Sequence, residues 1–280
     1  MQDNLAIIAS GGGMKSSYTV GVMLALAEKF EIKEPKTLIA CSGSSGMGSY
    51  YVSRQYDSIR NIWENLLSSK KMVDFKRFWK IIDIDYLIDE VFEKQDPLNV
   101  EAVYSSPIKY IIPALNRKTG RIDYFSNKGG DDIFEAMRAT KAMPIAFKMN
   151  PHIRLRDSTY CDSCLSSSSA PHLEKAVESG ASKILMINNA PQDKSRNLEH
   201  AIFNLWVSVQ GKSFSRNYED EAKRTQDYRV PENVEVLTLE PTTPLNIKTL
   251  NNNKNLLRQT INQGYKETSS NQKLKDFLSS

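Results

Sequence analysis

The feature that most constrains this chain is a pattern that occurs twice before Val52. A short, unbroken apolar run ends in a glycine-bearing turn, and an apolar helical stretch follows. Leu5-Ala6-Ile7-Ile8-Ala9 enters Ser10-Gly11-Gly12-Gly13, after which Tyr18, Val22, Leu24, Leu26 and Phe30 fall along a helix that closes near Glu34-Pro35. Leu38-Ile39-Ala40-Cys41 enters Ser42-Gly43-Ser44-Ser45-Gly46, and Tyr50, Tyr51 and Val52 continue as a second apolar helical face. An apolar run without alternation belongs to a strand covered on both faces. Two such strands joined by a helix give β-α-β-α, so the chain reads as an α/β fold with a mainly parallel central sheet flanked by helices.

Beyond this frame, residues 57 to 103 read as helical, with Trp63, Phe75, Phe78, Trp79, Tyr86 and Phe92 interleaved with Lys and Arg. That composition suits an amphipathic pair packed on the sheet or a lid over it. Ile108 to Leu115 and Ile122 to Phe125 are expected strands joined by a turn ending at Gly120. A helix from Asp132 to Lys141 stops before Pro144. Ile153–Leu155 and Thr159–Cys161 flank an Arg156-Asp157-Ser158 turn, and Lys183 to Ile187 is a further buried strand. One long helix is expected around Leu198 to Lys223, then a strand Val234 to Leu239 and a polar helical tail. No repeat or linker divides the chain, so a single domain over residues 1–280 is expected.

A chain of 280 residues buries enough surface to need neither metal nor disulfides. The net charge of +4 is spread without a long basic run, which argues against a nucleic-acid partner and stays compatible with peripheral contact to anionic lipid. No apolar stretch is long enough to span a bilayer, the N-terminus lacks the marks of a signal peptide, and three Cys form no disulfide framework. A cytoplasmic, reducing location is expected.

The two glycine turns lie at the carboxyl ends of neighbouring strands, the edge where open α/β sheets bind ligands. Unpaired N–H groups of Gly11-Gly12-Gly13-Met14 at a helix start suit a negative oxygen. The serine turn, with Gly43 and Gly46, has the form of a nucleophile elbow. A Walker phosphate loop fails, because its glycines would have to be Ala9 and Met14. A dinucleotide loop fits Gly11 and Gly13 but meets Ser16 at its third glycine. None of His152, His172 and His200 follows a convincing strand-end acid, so a Ser–Asp dyad enters as the competitor to a triad. Cys161 and Cys164 lack further ligands at zinc spacing and do not open a helix as a redox pair would.

Gly11-Gly12-Gly13-Met14-Lys15, the Gly21–Leu26 helix, the serine turn, Ala139-Thr140-Lys141-Ala142-Met143-Pro144, and Tyr160-Cys161-Asp162 with the later Pro and helix Glu174–Gly180 together resemble the bacterial patatin-like phospholipases. Order and spacing match from about residue 5 to residue 190; residues 191–280 are only loosely similar. The resemblance implies a three-layer fold and a lipid acyl hydrolase with a Ser–Asp dyad, a glycine-rich oxyanion loop, no metal and no cofactor. By position, the family's G-x-S-x-G falls on Ser42-Gly43-Ser44-Ser45-Gly46, making Ser44 the nucleophile, with Ser45 and Ser42 as rival registers. Its D-G-G/A falls on Asp162-Ser163-Cys164, making Asp162 the base, with Asp157 as rival. Gly11, Gly12, Gly13 and Met14 would form the oxyanion and substrate-binding loop. Ser16, Ser42, Ser163 and Cys164 stand where the family has small residues, mostly glycine. The expected function is hydrolysis of fatty acyl esters of the phospholipase A, lipase or esterase type; the competing one is an impaired, lipid-binding protein on the same fold.

Overall fold

The computed structural model describes residues 4–189 and 195–279, with the side chains of 195–200 outside the description. Its strands are β1 (Leu5–Ala9), β2 (Thr37–Ala40), β3 (Lys109–Asn116), β4 (Ile122–Ser126), β5 (Ile153–Leu155), β6 (Ser158–Cys161), β7 (Lys183–Ile187) and β8 (Glu235–Leu239). Its α-helices are α1 (Ser17–Lys29), α2 (Ser44–Val52), α3 (Tyr56–Asn61), α4 (Val100–Ser105), α5 (Ile133–Lys141), α6 (Cys164–Ser167), α7 (Leu173–Glu178), α8 (Ser195–Ser208), α9 (Lys212–Asp227), α10 (Lys254–Ser269) and α11 (Gln272–Ser279). The expected parallel arrangement is present: β3, β2, β1, β7 and β8 run parallel in that order, and β4, β5 and β6 add antiparallel pairs beyond β3.

The unbroken apolar run of β1 has a direct cause. Leu5, Ile7 and Ala9 pack into the core shared with α1, while Ala6 and Ile8 pack on the other face with Ala176 of α7. Successive residues of a strand point to opposite faces, so a strand covered by helices on both has no polar position. The C-terminal third is built into this frame. A methyl group at Gly21 would overlap Ile261 O, and one at Gly264 would overlap Tyr18 O, so α1 and α10 cross with their backbones almost touching. Strand β8 extends the sheet beside β7.

Two expectations are corrected. The long helix expected over 198–223 is two helices, because Gly211 takes φ +108° between α8 and α9. The stretch 57–103 is not a regular pair: α3, two wide helical turns over 62–66 and 86–95, and α4 bracket an irregular segment. Its aromatic residues divide, with Trp63 and Phe92 buried and Phe75, Phe78 and Trp79 exposed.

The site is assembled by β3. Leu115 pairs with Ile122 of β4 on one side and with Cys161 of β6 on the other. Ile111 likewise pairs with Ser126 of β4 and Ile39 of β2. Strands β6 and β2 therefore lie on the same side of β3 and approach end to end from opposite directions. The residues that follow them, Asp162 and Ser42, come together where the two strands meet.

Candidate functional site

Strand β2 ends at Ala40, and Cys41 N–H still bonds Ala9 O at 3.0 Å. The chain must then turn sharply into α2, and it does so on Ser42, whose φ is +43°. A side-chain residue in the left-handed region costs of order 1–3 kcal/mol and persists only where its surroundings enforce it. Here Ser42 N–H is held by Thr140 Oγ1 at 3.1 Å, and Thr140 in turn donates to Pro113 O at 2.5 Å. Gly11 backs onto the turn: a methyl group there would stand 2.6 Å from Ser42 Cβ.

Ser42 Oγ donates to Asp162 Oδ2 at 2.6 Å. Asp162 is almost fully buried, and its N–H is tied to Ala142 O at 3.1 Å. Burial pushes its carboxyl up to about 7, against the opposing pull of hydrogen bonds from Ser42, Ser163 N–H and Ser166 and of the Lys141 charge. Lys141 is itself buried, and desolvation draws its ammonium down to about 7 while the Asp162 charge opposes. Lys141 Nζ donates to Ser45 Oγ, which donates to Ser42 O at 2.9 Å.

Ser44, expected at the elbow, is not brought to Asp162. It is the first residue of α2, fully buried, and its hydroxyl donates to Ser10 O at 2.6 Å. The glycine loop is also divided. Gly11 N–H donates to Ser167 O at 2.7 Å and Met14 N–H to Thr249 O at 2.9 Å, so neither amide is left for a ligand. The N–H groups of Gly12, Gly13 and Gly43 have no acceptor among the described residues. The Gly12-Gly13 and Gly43 turns are in contact, since a methyl group on Gly43 would meet Gly13 O at 2.7 Å. Sequence reasoning gave Gly43 only as a flanking glycine and assigned no individual duty to Thr140 or Lys141. The block Ala139–Pro144 was visible as a motif, but its duties are hydrogen bonds to partners remote in sequence.

His172 is a satisfied core residue: its ring contacts Tyr124 Oη at 3.1 Å and Ser166 O at 3.1 Å, and burial draws it down to about 4. His152 stands at the surface beside Arg117, and the side chain of His200 lies outside the described residues. Asp157 is exposed in the turn between β5 and β6. Cys161 and Cys164 are free thiols, and no cluster of three or more His, Cys, Asp or Glu suited to a metal occurs among the described residues.

Two cavities meet at Ser42. An outer cleft of about 270 Å³ is bordered by Gly12, Asp162, Ile81, Met143–Ala146 and the α8 residues Ile202, Phe203 and Trp206. An inner, narrower pocket of about 40 Å³ runs from Gly13, Gly43 and Lys141 toward Met47, Trp63, Met72 and Phe92. Both are walled mainly by apolar side chains, as sites for hydrophobic ligands are.

The model of the patatin-like phospholipase family matches residues 7–173. Among solved structures the chain is similar to VipD from Legionella pneumophila, at 13% identity and a TM-score of 0.56, covering 99% of this chain and 67% of that one. It also aligns with the type III effector protein ExoU at 13% identity and a TM-score of 0.30, covering 77% of this chain and 53% of that one. A search of curated proteins finds no match. At such identities the likeness to VipD is one of fold.

Proposed function

The chain belongs to the patatin-like phospholipase family, and on that premise we propose that it is a serine acyl hydrolase of lipid esters in which Ser42 is the nucleophile and Asp162 its base. The family's activity is lipid acyl hydrolysis. The observation that carries the assignment of residues is the 2.6 Å hydrogen bond from Ser42 Oγ to Asp162 Oδ2, made by a serine held on a left-handed turn at the floor of an apolar cleft.

The fatty acyl chain lies along the apolar cleft with its ester carbonyl over Ser42. Asp162 accepts the Ser42 proton as Oγ bonds to the carbonyl carbon. A carboxyl raised to about 7 is a stronger proton acceptor than an ordinary carboxylate and is still substantially ionised near neutral pH. The oxygen that becomes negative is met by N–H groups of Gly12, Gly13 and Gly43, the amides with no acceptor of their own. Protonated Asp162 returns its proton to the departing alcohol oxygen as the carbon–oxygen bond breaks. The acyl-serine is then cleaved by water, with Asp162 taking the water's proton and passing it back to Ser42. Lys141 sits beside this exchange and favours the ionised form of Asp162.

A fluorophosphonate carrying a long alkyl chain tests the reading. The expected result is one covalent label, mapped by peptide mass spectrometry to Ser42. A label on Ser44 or Ser45 would move the nucleophile, and no label on folded protein would leave a patatin fold that binds lipid without hydrolysing it.

A further inference from the structure

Almost all of the large apolar side chains exposed among the described residues stand on three segments that border the outer cleft. Phe75, Phe78 and Trp79, exposed to 68%, 79% and 62%, lie just before Ile81, which lines the cleft. Met149, 70% exposed, follows the cleft-lining turn Met143–Ala146, and Ile82 N–H bonds Ala146 O at 3.1 Å, so these two segments are joined. On α8, Ile202 and Leu205 are spaced to share one face, Val209 is exposed in the turn that follows the helix, and Ile202 itself lines the cleft. Tyr104 and Val236 are the remaining exposed large side chains, and they line neither cavity.

The aromatic segment carries a net positive charge. Residues 70–85 carry Lys70, Lys71, Lys76, Arg77 and Lys80 against Asp74, Asp83 and Asp85. Asp83 is held by Arg77 and Lys80, and Asp85 by Lys80 and Arg138. Lys70, Lys71 and Lys76 are exposed and have no ion-pair partner among the described residues, though Lys71 Nζ lies over the Tyr86 ring at 5.8 Å from its centroid. Aromatic side chains flanked by unpaired lysines suit a surface that is apolar below and anionic at its rim, since the rings enter the boundary while the ammonium groups meet phosphate. A second copy of the same chain would bring like charges together at this segment.

We propose that the Phe75–Trp79 loop, the Ile202–Leu205 face of α8 and the adjoining Val209 form a docking rim that seats the mouth of the outer cleft on an anionic lipid bilayer. This rests on the hydrolase reading only in naming the lipid as substrate; the docking itself does not require turnover. The rim places the cleft where a lipid can leave the bilayer and reach Ser42 without its acyl chain crossing water.

The test uses the Ser42→Ala protein, so that binding is read without hydrolysis, with vesicles of phosphatidylcholine alone or with phosphatidylserine added. Sedimentation should show binding to the anionic vesicles that weakens as salt is raised, because surface charge is screened. Replacing Phe75, Phe78 and Trp79 together by Ser should lower the partition at least about tenfold, and changing Lys70, Lys71 and Lys76 to Gln should lower it about fivefold for each lysine. Trp63 and Trp206 are buried, so a blue shift of tryptophan emission on vesicle addition, lost in Trp79→Phe, reports entry of Trp79 itself. In the protein that retains Ser42, Phe78→Ser and the triple Ser variant should leave hydrolysis of a soluble short-chain ester unchanged while slowing hydrolysis of vesicle lipid. That soluble assay also certifies folding. Unaltered binding by the triple variant, or no binding by the parent, overturns the rim. A dimer by light scattering that the triple variant loses would assign the surface to a second copy and also overturns it. Vesicle binding in a protein that cleaves no ester would leave the rim standing and sink the hydrolase reading instead.

Discussion

In the turn after β1 the left-handed backbone falls on Gly12 and Gly13, at φ 134° and 58°; in the turn after β2 it falls on Ser42, at 43°, while Gly43 beside it sits at −52°. The strands are parallel neighbours, and both turns open helices. On the proposed assignment, what separates them is the group each presents. A turn that offers amide N–H groups needs no side chain, and glycine takes the positive φ without steric cost. A turn that offers a hydroxyl must put a side chain at the sharpest point of the bend and accept the strain. In the second turn the strained residue and its neighbours are therefore held by side chains from outside, by Thr140, by the Lys141–Ser45 relay and by Asp162.

The comparison is broken most severely at its hydroxyl. Ser42→Ala should abolish ester hydrolysis, and Asp162→Asn should lower kcat by about a hundredfold or more as the proton acceptor is lost. Ser44→Ala, two residues away, should keep activity within about tenfold and cost about 1 kcal/mol of stability for its buried hydrogen bond to Ser10 O. An inactive, folded Ser44→Ala protein with an active Ser42→Ala one would reverse the assignment. A smaller loss is expected where the turns touch. Gly11 has ordinary backbone geometry, so Gly11→Ala acts only through the methyl group that would meet Ser42 Cβ at 2.6 Å. Pushing the turns apart should destabilise by about 1–3 kcal/mol and slow hydrolysis by roughly ten- to a hundredfold through misplacement of the reacting groups. Steady-state kinetics beside a thermal melt separates the two effects.

The sheet was legible because burial on two faces leaves an unmistakable apolar run, and the place of Asp162 at the end of β6 was legible because it directly follows a strand in a recognisable block. The register of the elbow was not. Motif matching centres a nucleophile between glycines and so selects Ser44, and glycine preference would put the positive φ on Gly43. Which serine takes the left-handed turn and reaches Asp162 is decided instead by where β2 stops pairing with β1, a property of the sheet and not of the turn. Matched on Ser42, the G-x-S-x-G pattern has Ala40 and Ser44 in its glycine places. Met14 was drawn into the oxyanion loop because its N–H opens a helix, but Thr249, from the C-terminal third, takes that N–H. A partner so distant in sequence leaves no local signal. The break at Gly211 and the exposure of Phe75, Phe78 and Trp79 were hidden for a related reason: helical spacing persists across a break, and aromatic residues among lysines read alike whether packed or open.

The supports of the second turn give a pH test. Around Asp162 stand Lys141, the thiols of Cys41 and Cys161, and the hydroxyls of Ser42 and Ser166. Burial pushes both thiols up, so they stay protonated, which leaves Asp162 and Lys141 as the pair that titrates near neutrality. Asp162 must be ionised to act as base, so kcat should climb as pH rises through about 7. The Lys141 charge favours the ionised carboxylate; Lys141→Met removes it, and the acid limb should move to higher pH, with several-fold loss near pH 6 and recovery at alkaline pH. A uniform loss at all pH values would make Lys141 a packing residue only.

The smallest effect bears most directly on backbone strain, and it predicts a change of sign between two serines. At Ser42 a left-handed φ disfavours any side chain by roughly 1–2 kcal/mol, more than the roughly 0.5–1 kcal/mol that glycine loses to the entropy of the unfolded chain. Ser42→Gly should therefore melt higher than Ser42→Ala, both lacking the hydroxyl and its bond to Asp162. At Ser44 the backbone is helical, and glycine in a helix is about 1 kcal/mol worse than alanine, so Ser44→Gly should melt lower than Ser44→Ala. The two pairs cancel the loss of the hydroxyl and leave the backbone term alone. The same order at both positions would mean that Ser42 is not strained, and the contrast between the two turns would then rest on hydrogen bonding without backbone strain.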